Sequence, residues 1–203
     1  MACTLTKGLT VDCKDQIGGL KAIFIASTYS PEVRSAATFN GTDVLQMDTA
    51  GFTGWSAYGT PTSLTVTVFK YALRPNLSSM TVNINSDPAT GTTFFEQTLS
   101  LSLQKLTVAQ NNELKLVSYN RSQVFVQDVN DNVFLLGMDN GVDVSGGTAV
   151  TGAAKSDMTG FTLEMRAEEK DPMIWIKPTS GGGTDYPFDQ LSDADADLTI
   201  VAS

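Results

Sequence analysis

Between Thr92 and Leu136 the spacing of apolar residues changes twice, and each change marks an element. From Phe95 to Gln104 the period is two. Phe95, Leu99, Leu101 and Leu103 fall on one face; Glu96, Thr98, Ser100, Ser102 and Gln104 fall on the other. That alternation predicts a long strand with one buried face. Thr107 and Gln110 then stand three apart, as in a capping box, and predict a helix start. Leu114 and Val117 share its inward face. Asn120 suits a left-handed residue just past its end. A second strand is expected from Gln123, with a turn through Asp128-Val129-Asn130-Asp131-Asn132 and a return from Val133 to Leu136.

The remaining pattern is also mostly extended. Leu20–Ala26 is a short apolar run, long enough for a buried strand. Ser27–Ala37 holds Pro31 and reads as a loop. Asn40-Gly41 signals a hairpin leading to Val44–Met47. Leu64–Leu73 is rich in β-branched and aromatic residues and predicts a long strand, stopped by Arg74-Pro75-Asn76. Met80, Val82 and Ile84 alternate with Thr81, Asn83 and Asn85. Phe161, Leu163 and Met165 alternate with Thr162, Glu164 and Arg166, and Ile174-Trp175-Ile176 adds a last apolar piece. The stretch from Val142 to Gly160 is so rich in small residues that it reads as a long loop. With about eight strands and one helix, the expected fold is mainly β, an antiparallel β-sandwich or barrel carrying a short helix, a long Gly-rich loop and extended termini. Gly181-Gly182-Gly183 reads as a flexible joint. It divides a domain over 1–178 from an acidic C-terminal arm over 179–203.

Composition narrows the chemistry. The 203 residues are 41% hydrophobic and 17% charged, which fits a packed Ser/Thr/Gly-rich β protein. The net charge of -9 disfavours a chain that coats itself with nucleic acid, since it repels phosphates. The chain has no histidine, which removes the usual general base and zinc ligand. Cys3 and Cys13 are expected to be reduced thiols. Asp193-Ala194-Asp195-Ala196-Asp197 mimics a calcium loop, but Leu198 stands where that loop needs glycine. The Asx residues of the 128–132 turn are ordinary turn chemistry. Glu168-Glu169 reads as a solvated pair. No phosphate-binding, dinucleotide-binding or nucleophile-elbow motif occurs. The expectation is therefore no catalytic residue, no metal, no cofactor and no enzyme activity. No secretory leader or apolar membrane span is evident either.

Three stretches, LTKGLTVDCKDQIGGLKAIFIA, FFEQTLSLSLQKL and VFVQDVNDNVFLLGMDNGVDVSGGTAVTGAAKSDMTGFTLEM, resemble virion proteins of tailed phages. The resemblance is one of order and texture and spans about Thr4 to Trp175. Within that class the chain is most similar to tail tube proteins. The resemblance implies a β-sandwich or barrel with one helix, assembled as stacked hexameric rings around an acidic channel that DNA crosses without specific binding. Partners would be further copies of the chain and other virion proteins, and the location the virion tail, assembled in the host cytoplasm.

On this reading Glu96, Thr98, Ser100, Ser102 and Gln104 face the lumen. Phe52, Trp55, Tyr58, Val144, Val150, Tyr186 and Phe188 are candidates for contacts between subunits, since aromatic residues are enriched there. The alternative is a head decoration or adhesion module, binding capsid or glycan through Phe52, Trp55 and Tyr58. A loosely attached arm carries its own expectation: truncation at Gly181 should weaken assembly and leave the domain folded, as measured by sedimentation and circular dichroism.

Overall fold

The computed structural model describes residues 16–27, 29, 44–47, 66–178, 188 and 198–202. The loop through Pro31, the Asn40-Gly41 turn, the Gly181–Gly183 joint, Cys3, Cys13, Phe52, Trp55, Tyr58 and Tyr186 lie outside them, as do the aspartates from Asp185 to Asp197. The strands are β1 (Leu20–Ala26), β2 (Val44–Met47), β3 (Val66–Ala72), β4 (Ser79–Asp87), β5 (Thr92–Gln104) and β6 (Val124–Asp128). They continue with β7 (Val133–Leu136), β8 (Asp143–Val150), β9 (Gly160–Glu169), β10 (Ile174–Pro178) and β11 (Leu198–Ala202). Helix α1 (Val108–Tyr119) joins β5 to β6.

The strands form two stacked sheets. The larger has the order β11-β3-β1-β6-β7-β10-β2 and the smaller β4-β5-β9-β8. From β3 to β10 the larger sheet is antiparallel; β11 and β2 add to its two ends as parallel strands. Neither sheet closes on itself among the described residues, so the architecture is a sandwich and not a barrel. Between the sheets lie Leu20, Ile23, Ile25, Val124, Val126 and Leu136 from one side and Leu99, Leu101, Leu163, Met165 and Ala167 from the other.

The two patterns in the sequence correspond to the two sheets. In Ala22–Ala26 of β1, Val124–Val126 of β6 and all of β7 apolar residues follow one another because both faces are covered. Ile23 and Ile25 point to the core, while Phe24 and Phe125 pair on the opposite face under Phe188. In β9 the burial alternates, because its other face meets water.

Helix α1 starts where expected: the Thr107 hydroxyl accepts from the Gln110 amide at 3.2 Å. Leu114 and Val117 pack against the core. Its end differs from expectation. Asn120 is extended (φ -89°, ψ 145°), not left-handed. The chain must run straight into β6, and Ser122 already pairs with Val142. Asn120 is held there by its side-chain amide, which donates to the Ser27 carbonyl at 3.2 Å.

Two further expectations are corrected. The first half of the expected 142–160 loop is strand β8, paired along β9. It needs few apolar residues because it is a sheet edge. Gly147 is required by close packing, since a Cβ there would lie 2.6 Å from the Thr162 carbonyl oxygen. The remaining turn is tied by Asp157, whose carboxylate accepts from the amides of Ala153 (2.8 Å) and Ala154 (2.7 Å). Those bonds hold the Asp157 carboxyl below the usual range.

Two described pieces of the 179–203 segment are joined to the domain. Strand β11 pairs with β3, and Phe188 is fully buried, edge-on to Phe24 (5.3 Å) and Phe125 (5.0 Å). Truncation at Gly181 therefore removes core and not merely an arm. Phe188→Ala is expected to cost about 3–5 kcal/mol, read as a lower urea midpoint. A loss below about 1 kcal/mol would show that the ring is not part of the core.

Candidate functional site

The smaller sheet is the surface that the sequence marks for function. Its inward face is apolar with two exceptions, Gln97 and Glu169, both 3% exposed. Gln97 sits among the leucines of β5, and its side-chain carbonyl accepts from the Gly137 amide at 3.0 Å. A buried acceptor without such a donor would be costly, so this bond ties β5 to the end of β7.

Glu169 corrects the reading of a solvated carboxylate pair. It is the last inward-facing residue of β9, and Glu168 before it faces outward. The Gly137–Gly141 turn wraps the buried carboxylate. The amides of Asn140 (2.8 Å) and Asp139 (3.2 Å) donate to it. Gly137 and Gly141 both have positive φ, 66° and 77°, which the turn requires. The Tyr29 hydroxyl donates to the Asp139 carbonyl on the outside of this turn, and burial raises its pKa. The two adjacent glutamates thus lie on opposite sides of one sheet and cannot share a proton in a reaction.

The outward face is mostly polar, with Phe94 and Val150 at its two ends. Cross-strand register sets Asn83 beside Glu96 and Glu168, and Thr81 beside Thr98, Arg166 and Asp143. Ser79, Ser100 and Glu164 form the next row, and Ser102, Thr162 and Thr148 the one after. Glu96, Thr98, Ser100, Ser102 and Gln104 all lie on this face; Ser100 is exposed and the others half-buried. Ser102 is partly covered by Met158, to whose sulfur its hydroxyl donates at 3.2 Å. Missing from the sequence-based set are Thr81, Asn83, Thr148, Thr162, Glu164, Arg166 and Glu168. Their alternation was readable, but only the register shows that they share one face.

Charge on the face is mainly negative. Asp87, Glu96, Asp143, Glu164 and Glu168 stand against Arg166. The Arg166 guanidinium donates to both Glu96 (2.9 Å) and Glu168 (2.7 Å). At the lateral limits of the sheet, β4 and β8 each have a neighbour on one side only among the described residues. Neither carries a proline, and the only charges are Asp87 at the end of β4 and Asp143 at the start of β8. Strand β8 is irregular between Val144 and Gly146 and has helix α1 beside it, so β4 is the less protected of the two edges among the described residues.

Of the interface candidates, Val144 is half-buried against the core and Val150 is 38% exposed on the β8 edge. Phe188, expected at a subunit contact, lies inside the subunit's own core instead, because its ring fills the space between Phe24 and Phe125.

No described group of three or more carboxylates, cysteines or histidines is placed to hold a metal. In the 128–132 turn, Asp128 accepts from the Asn132 amide (2.7 Å), and Asp131 accepts from Lys21 (2.7 Å) and Gln127 (2.9 Å). The hydrogen bond from Lys21 lowers the Asp131 carboxyl below its usual value. Open clefts of 530 and 380 Å³ flank the sandwich. The larger, lined by Leu20, Met80 and Phe134, brings no reactive side chains together. Compared with protein-family models, curated proteins and solved structures, the chain matches none of them.

The opposite settings of the two glutamates are testable. Glu169→Ala removes the acceptor of the part-buried Asp139 and Asn140 amides and is expected to cost about 1–3 kcal/mol in urea unfolding. Glu168→Ala, on the exposed side, is expected to stay within about 1 kcal/mol of the parent. Equal losses would contradict the assignment.

Proposed function

We propose that this chain is a structural subunit that assembles with copies of itself into rings, edge to edge through the smaller sheet, with the polar face lining an aqueous channel. The observation that carries the reading is that, among the described residues, neither β4 nor β8 has a strand on its outer side. The sheet has four strands, each antiparallel to the next, so β4 and β8 run in opposite directions. Placing β4 of one copy beside β8 of the next therefore continues the antiparallel ladder. The contact is head-to-tail, and such contacts generate closed rings or open filaments. Unpaired edge amides and carbonyls gain partners, which turns an aggregation liability into an interface.

Which face turns inward follows from bulk. The larger sheet backs the apolar side of the smaller one, so a ring curves with the polar face at smaller radius. That face carries five carboxylates, Asp87, Glu96, Asp143, Glu164 and Glu168, and one guanidinium, and an acidic wall does not retain a polyanion. Together with the resemblance to tailed-phage virion proteins, this supports a tail tube whose lumen passes DNA. The lumen residues would be Glu96, Thr98, Ser100, Ser102 and Gln104, joined by Thr162, Glu164, Arg166 and Glu168 from β9. Nothing described favours the alternative decoration module, whose proposed contacts Phe52, Trp55 and Tyr58 lie outside the described residues.

Charge placed on both edges tests the reading. Thr81→Asp with Thr148→Asp sets like charges beside each new strand pair, which is unfavourable. The expected result is an unchanged unfolding midpoint with rings absent from negative-stain images, or an assembly threshold raised by about tenfold or more. Rings at the parent's concentration would refute edge pairing.

A further inference from the structure

We infer that Glu96 and Glu168 form a clamp that masks Arg166, the only cationic side chain on the outward face of the smaller sheet among the described residues, from any polyanion crossing that face. The inference rests on the channel reading for its purpose, but its geometry stands alone. Glu96 on β5 and Glu168 on β9 are directly opposite in register. Two like charges in that position repel. Arg166 lies two residues before Glu168 on the same side of the strand and reaches over both. Its Nε meets Glu96 at 2.9 Å and its terminal nitrogen meets Glu168 at 2.7 Å. Asn85 fixes the second oxygen of Glu96 from β4, at 3.2 Å.

The arrangement has a consequence for a phosphate chain. An accessible arginine binds phosphate through two parallel N–H bonds. Here the guanidinium is engaged on two sides by carboxylates, and the triad keeps a net negative charge. Asp143 is opposite the same arginine in register, but its own ion pair is with Arg121, 3.8 Å away beyond the sheet. The Arg166 side chain is still 45% exposed, so burial alone does not hide it. A neutral face could have been built from serine and threonine, as the row of Ser102, Thr162 and Thr148 is. The clamp instead offsets two opposed glutamates with one arginine and occupies that arginine's Nε and one of its terminal nitrogens with carboxylates.

The test compares the full chain with three variants, using a fluorescently labelled DNA duplex and anisotropy at low ionic strength. Glu96→Gln with Glu168→Gln releases the arginine. Asp87→Asn with Glu164→Gln removes the same charge from the same face and leaves the clamp intact. The third variant adds Arg166→Gln to the first pair. The clamp-release variant is expected to bind about tenfold more tightly than the charge-matched one. Its salt dependence should steepen by about one phosphate contact, and the third variant should lose the gain. Equal binding by the two double variants would overturn the clamp, leaving net charge as the sole determinant. Tight binding by the unaltered chain would instead overturn the non-retaining channel. Because the comparison works on dispersed subunits, failure of ring formation is a separate result and falls on the assembly reading alone.

Discussion

The structure depends on the contact between the two sheets. Leu99 and Leu101 of β5, with Leu163 and Met165 of β9, meet Ile23, Ile25, Val124, Val126 and Leu136. Each fully buried side chain of this kind is worth about 1.5–3 kcal/mol, so the layer outweighs any single polar interaction in the chain. It also sets register. A slip of one residue in β5 would turn its leucines to water and carry Glu96 toward the core. Everything on the far side of the smaller sheet, including the placement of its charges, follows from that constraint.

How much of this was readable from the sequence depended on how each residue is covered. Alternation in β5 and β9 revealed strands with one wet face, and the apolar run of β1 revealed a buried strand; β6 and β7 were legible as a hairpin, and only the structure shows both their faces covered. Strand β8 escaped notice because an edge strand with one face in water needs little apolar content, and its glycines serve close packing against β9. Gln97 and Glu169 broke the polar-outside pattern for a physical reason. Each meets main-chain amides of the Gly137–Gly141 turn, distant in sequence. Phe188 was hidden by its acidic surroundings, where charge suggests a solvated tail and a lone aromatic gives no period.

The candidate surface was half legible. The five polar residues of β5 could be named from alternation alone. Their neighbours on β4, β9 and β8 could not, because which strands adjoin is a property of topology. The assembled face is more informative than any one strand. It shows carboxylates opposed across strands, an arginine bridging two of them, and a β4 edge with neither proline nor lysine, whereas β8 is irregular between Val144 and Gly146. Such an edge is tolerable in a subunit whose neighbours cover it.

Hydrogen exchange read separately at β4 and β8 tests the central claim most directly. In dilute protein the edge-facing amides of both strands should exchange quickly. At concentrations where the protein assembles, both strands should gain protection together, while the central strands β5 and β9 change little. Assembly that protects other surfaces and leaves both edges exchanging at the dilute rate would contradict edge-to-edge pairing of the smaller sheet.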